Sequence, residues 1–229
     1  FFLPDAPARE ANVQDFRLDR EVTDKPLAPA VNIEIRRARQ HRDEAIELAR
    51  ELDEELLMFT ATANMSESPD IVAQRLTQLL KLNNPQPAGW RNADEAFKGR
   101  KAAVEALGVL VFEASRISTE QMRGVSLPFD QLPVVLLNGA DSSAGRSFTL
   151  MHELTHLLLR QGGICDLAPS NDNSPNARVE RFCNAVAAAV LMPADKLLSM
   201  LPGSSPQAWT MDELGSFAKP FRVSREALL

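Results

Sequence analysis

A chain of 229 residues, 45% of them hydrophobic and 24% charged, can bury a sizeable core and has the make-up of an ordinary globular protein. A net charge of −6 and a pI near 5.2 argue against nucleic-acid binding by the chain as a whole. No apolar run approaches the roughly 20 residues of a membrane span, and the opening FFLPDAPARE has neither the basic nor the apolar region of a signal peptide.

The two cysteines, Cys165 and Cys183, form no C-x-x-C and no disulfide framework, so a reducing cytoplasm is the expected compartment. Residues 1–30, with Pro4, Pro7, Pro26 and Pro29 and little periodicity, read as a linker or arm. From Asn32 to Phe59 the spacing predicts a helix, with Ala38, Ala45, Leu52 and Phe59 recurring every seven residues. Its first turns are basic (Arg36, Arg37, Arg39, Arg42) and its last acidic, an order that opposes the helix dipole. The arginines are read as a solvated face, with a DNA or partner contact as the alternative.

A second helix is expected over 69–82, opened by Pro69, and a third over 93–108, ended by Gly108. Three strands follow: VLVFEA (109–114), GVSLPF (124–129) and PVVLLNG (133–139). The third is read as a plausible edge strand for an extended substrate, or equally as a plain core strand. Next comes the helical stretch FTLMHELTHLLLR (148–160), then a polar Pro/Asn-rich stretch, 166–176, read as a mobile loop. ARVERFCNAVAAAVLMP (177–193) is an alanine-dense helix, and the tail gives two short helices around FRVS, a weak helix-turn-helix pattern. Helices, a small antiparallel sheet and helices again make an α+β fold.

The chemistry lies in His152, Glu153 and His156, an H-E-x-x-H run. Positions i and i+4 share a helix face, so both imidazoles can reach one zinc ion. Glu153, turned about 100° away, stands beside the metal as a general base for water. A core helix holding two satisfied histidines is the competing reading. It would bury two imidazoles and a carboxylate on an apolar helix at a high cost.

The chain has three histidines, and His41 sits in a charged amphipathic helix, so the third ligand is expected to be a downstream acid. Asp166, Asp172, Glu180 and Asp195 are the candidates. Glu180 is favoured because it stands on a helix with Asn184 one turn on, where the amide can orient a ligand histidine. A thiolate from Cys165 or Cys183 could regulate the metal's open position, against the bland reading of both as buried small hydrophobes.

FTLMHELTHLLL, VERFCNAVAAAVLMPAD and VLLNGADSSAGRSFTLMHELTH together resemble the ImmA/IrrE family of zinc metallopeptidases, most clearly over residues 90 to 229. The resemblance implies a zincin-like (minigluzincin) core. It also implies Zn2+ on His152, His156 and Glu180, with Glu153 as base. It implies cleavage of a helix-turn-helix repressor that controls stress-response or mobile-element genes. Members often carry an amino-terminal DNA-binding domain of their own, so this chain is expected to be a fragment whose DNA contacts lie in a missing domain.

The expected organisation is an arm (1–30), an N-terminal helical region (31–90), a zinc metallopeptidase domain (91–200) and a C-terminal helical segment (201–229). The chain has no tyrosine to stabilise an oxyanion, which leaves Arg146, Arg160, Arg178 and Arg181 as substitutes with nothing to select one. The alternative function is a DNA-associated regulator or ligand sensor whose zinc site is structural or vestigial.

Overall fold

Val134–Asn138 runs Val-Val-Leu-Leu-Asn with no alternation of polar and apolar residues, and all five are buried. A strand reads this way when both faces of its sheet are covered. The structure, a computed structural model, describes residues 14–15, 28–82, 90–161, 163–165, 174–200 and 209–228. Its elements are β1 (Gln14–Asp15), α1 (Pro29–Glu51), α2 (Pro69–Leu79), α3 (Ala93–Glu105), β2 (Leu110–Ala114), β3 (Gly124–Leu127) and β4 (Val134–Asn138). They continue with α4 (Ser143–Leu158), β5 (Gly163–Cys165), α5 (Pro175–Leu191), α6 (Ala194–Met200), α7 (Met211–Phe221) and a 3₁₀ turn, Arg225–Leu228.

The sheet has five strands in the order β1-β5-β3-β4-β2. It is mixed, where an antiparallel sheet was expected. The pairs β3–β4 and β3–β5 are antiparallel, while β2–β4 and β1–β5 are parallel. The chain leaves β2, passes over to the far side of β4 to form β3, and returns through the middle. That crossover puts β4 inside the sheet, so the reading of PVVLLNG as an edge strand is wrong. Pairing by β2 and β3 occupies both its sides.

Side chains from the two sheet faces enter two cores. Val134 and Leu136 of β4, with Val125 and Leu127 of β3, meet Val31, Ile35 and Ala38 of α1. Val135 and Leu137 face the other way, into a larger core built by α2, α3, α4 and α5. The result is three layers, α1, sheet and helices, with α4 against the sheet and α5 packed across α4 and α2.

α1 ends at Glu51, eight residues short of the expected Phe59. Glu47, Glu51, Asp53, Glu54 and Glu55 crowd the end where the helix dipole repels anions, and Asp53 turns left-handed there (φ 53°). Phe59 is still buried, but from an extended segment whose N–H bonds to Asp130 O at 3.0 Å. His41 is exposed and pairs with Glu44, as its charged helix implied. Arg42 is not part of a free basic face. It donates to the carbonyls of Gln131 and Leu132 and lies 3.8 Å from the centroid of Phe129.

α4 begins five residues before the stretch read as helical, with Ser142 as its cap accepting from Gly145 N at 3.0 Å. Just ahead of it, Asn138 is a buried hub. It donates to the carbonyls of Ile117 and Met122 and accepts from Ala140 N, which pins the segment leading into β3. Each such buried bond contributes about 1 kcal/mol net, and more is lost when a partner is left unmet.

The tail forms α7 with a Thr210–Glu213 capping box, followed by a 3₁₀ turn where a second helix was expected. Arg100 on α3 holds this tail by donating to Phe221 O at 2.8 Å. No single helix among the described residues is long and apolar enough to cross a membrane. The 166–173 part of the expected loop and nearly all of the 1–30 arm lie outside the described residues.

Candidate metal centre

Leu150, Met151, Leu154 and Leu157 are fully buried and fix α4 against the sheet and α5. This anchoring aims the remaining face of the helix. His152 and His156, one turn apart on it, bring their Nε2 atoms to 3.1 Å from each other. Ser174 and Pro175 start α5 so that Glu180 arrives opposite, with Ser174 accepting from Ala177 N. Glu180 Oε2 lies 3.1 Å from His152 Nε2, and Oε1 lies 3.3 Å from His156 Nε2.

The fit to a metal can be tested on these three separations. Donors held about 2.0–2.1 Å from a tetrahedral zinc stand about 3.3 Å apart, edge to edge. The observed 3.1, 3.1 and 3.3 Å match that triangle. The donor set suits the same ion, since two imidazoles and a carboxylate form a common catalytic zinc set. His152, His156 and Glu180 are the one group of three or more metal-ligating side chains that close together among the described residues.

His152 Nδ1 stands 2.9 Å from Asn184 Oδ1. The amide oxygen can only accept, so Nδ1 carries the proton and Nε2 keeps its lone pair for a metal. The electrostatics of the cluster follow from burial and proximity. Burial raises the Glu180 carboxyl, but the two imidazoles beside it outweigh this and hold it at about 2. Burial depresses both imidazoles. At His156 it prevails, whereas at His152 the Glu180 and Glu153 carboxylates and Asn184 reverse it. An ionised carboxylate therefore faces both imidazoles, and binding a metal requires both of them neutral, with any proton on His152 Nε2 released as the ion binds.

Glu153 is fully buried next to the cluster. It points toward β3, where its carboxylate packs against the backbone of Gly124. The structure therefore brings together His152, His156 and Glu180, with Glu153 and Asn184 alongside. Asp195 is exposed on α6, outside the group, while Asp166 and Asp172 lie beyond the described residues.

The cysteines do not supply a thiolate that the structure describes. Cys183 is fully buried on α5, and burial, then the charges of Glu180 and Glu153, push its thiol well up. Its sulfur is not among the ligand atoms that cluster, and Cys183 packs as a small buried hydrophobe. For Cys165 only the backbone is described, paired with Gly124.

Of the arginines, Arg146 is tied to Glu113 and stacked on Phe97, and Arg160 donates to Phe59 O. Arg178 and Arg181 are exposed on α5. Gly124 is the residue of the site that the reading of the sequence passed over. Its signal was a glycine opening a strand-like run, a position where close approach of another group is common.

Residues 104–229, more than half of the chain, match the family model described as Peptidase M78, IrrE N-terminal-like domain. That span holds every residue of the cluster. No curated protein matches the chain.

Proposed function

The chain belongs to the Peptidase M78 family through its IrrE N-terminal-like domain, a metallopeptidase family, and from that premise we propose that it is a zinc-dependent endopeptidase whose substrate is a helix-turn-helix transcriptional repressor. The observation that supports this most is the triangle of Nε2, Nε2 and carboxylate oxygen at 3.1 to 3.3 Å, with a buried carboxylate beside it that is not one of its corners. A structural zinc site closes its shell with four protein ligands and has no use for such a base.

His152, His156 and Glu180 are the residues that would hold zinc. The bound ion supplies Lewis acidity, polarising a peptide carbonyl and making water nucleophilic near neutral pH. Glu153 takes the proton of the attacking water and passes it to the departing amine. Asn184 keeps His152 in the tautomer that presents Nε2 to the ion. The three-layer packing around α4 keeps these groups from moving as charge develops.

The assignment of a repressor as substrate rests on the family resemblance, as does the expectation that DNA contacts belong to a domain outside this chain. The test is co-expression of this chain with a helix-turn-helix repressor from the same genome, followed by mass spectrometry. Fragments of the repressor are expected with the parent chain and intact repressor with Glu153→Gln. Intact repressor in both, from a chain that cleaves other peptides, would leave the peptidase standing and remove the substrate.

A further inference from the structure

Gly124 opens β3 and is paired on both sides, with Leu137 of β4 and Cys165 of β5. A glycine weakens a regular strand, so its presence needs a cause. Backbone conformation is not that cause, because among the described residues the positive-φ glycine is Gly108. The cause lies across the gap to α4. A β-carbon built on Gly124 would fall 2.6 Å from Thr149 Cγ2 and 2.8 Å from Glu153 Cγ, and closer still to Glu153 Oε1. Real β-carbons do not approach other heavy atoms to such distances, so something would have to move.

What would move is set by the packing. β3 cannot retreat, because Val125 and Leu127 on its other face are buried against α1 and pairing holds both its edges. α4 cannot retreat, because Leu150, Met151, Leu154 and Leu157 anchor it. Thr149 is itself buried, with its methyl held between helix and strand. Of the groups met, the Glu153 carboxylate is the far end of a flexible side chain with three torsions, so it is the one an added β-carbon would displace at least cost.

Resting on the peptidase reading above, we propose that Gly124 is a positioning residue for the general base: its missing side chain is the slot that seats the Glu153 carboxylate, whose charge acts on the neighbouring ligand His152. It acts through Glu153 and not through the ligands, since His152, His156 and Glu180 meet on the α5 side of the helix.

The test is Gly124→Ala in the zinc-loaded chain. Zinc content per chain is expected to match the parent, KM to stay within a few-fold, and kcat to fall about a hundredfold, the usual penalty for a catalytic group displaced by about 1 Å. In a Glu153→Asp background, whose shorter carboxylate does not fill the slot, the same substitution is expected to cost only a few-fold. That dependence is a coupling that a merely structural glycine does not have.

A second readout does not require turnover. Acetohydroxamate binds a metal while giving its hydroxyl proton to a neighbouring carboxylate, and its affinity for the zinc-loaded chain is expected to drop at least tenfold in both Gly124→Ala and Glu153→Gln. If Gly124→Ala folds poorly, Gly124→Ala with Thr149→Ser removes the methyl clash and leaves only the clash with Glu153. Parental kcat and parental hydroxamate affinity in either variant would overturn the proposal, and so would loss of zinc. Failure of the parent chain to cleave any peptide would count against the peptidase reading alone, because hydroxamate affinity would still decide the role of Gly124.

Discussion

Glu153→Gln is expected to lower kcat by about a thousandfold or more, within the about 10²–10⁴ that a general base contributes, while zinc content stays at the parental level. Gln is nearly isosteric with Glu, so the buried slot between α4 and β3 stays filled and the fold is not disturbed. The amide cannot take a proton from water, and that is the whole of the change. KM should barely move, since the base acts in the transition state and not in holding the peptide. Steady-state kinetics on a peptide cut by the parent, with metal analysis of the same samples, reads both quantities. Full activity would remove Glu153 as base. Loss of zinc would make it a ligand, in conflict with its place outside the triangle.

Glu180→Ala is expected to act on the other quantity. It leaves two imidazoles and removes the corner that closes the triangle at 3.1 and 3.3 Å. Zinc affinity should fall by more than the about 10–100-fold that loss of an outer partner such as Asn184 costs, and the purified chain should carry well under one zinc. Activity should fall with occupancy and return in part at high zinc concentration. Bound metal also stabilises whichever state holds it, so chelation should lower the Tm of the parent and scarcely change that of Glu180→Ala. Full zinc occupancy in Glu180→Ala would move the third ligand to Asp166 or Asp172.

These predictions concern residues that were legible in the sequence because their chemistry is local. Two histidines four apart share a helix face whatever the rest of the chain does. Glu180 took an elimination, but its pairing with Asn184 is again an i, i+4 relation on one helix. The helices α2, α3 and α5 were found within a few residues of their ends because caps and prolines mark them.

What the sequence did not reveal is non-local. Nothing in VLVFEA says that it runs parallel to a strand twenty residues on, and the crossover that places β4 inside the sheet is decided by packing on both faces. β1 and β5, with two and three residues, are too short to carry a period. Gly124 is the clearest case. A glycine in a strand is visible to anyone reading the chain, but the group that needs its empty space sits on α4, 29 residues away by sequence and adjacent only in the folded protein. The end of α1 is the opposite case. The acidic run and its conflict with the helix dipole are both plain in the chain, and they end the helix where the seven-residue period alone would carry it on to Phe59.

Zinc held by His152, His156 and Glu180 is tested most directly by X-ray absorption at the zinc edge of the purified chain. The expected result is one zinc per chain with two imidazole nitrogens and carboxylate or water oxygens at about 2.0–2.2 Å, and no sulfur. A sulfur neighbour at about 2.3 Å would place a cysteine in the shell and contradict the assignment, as would a shell without imidazole.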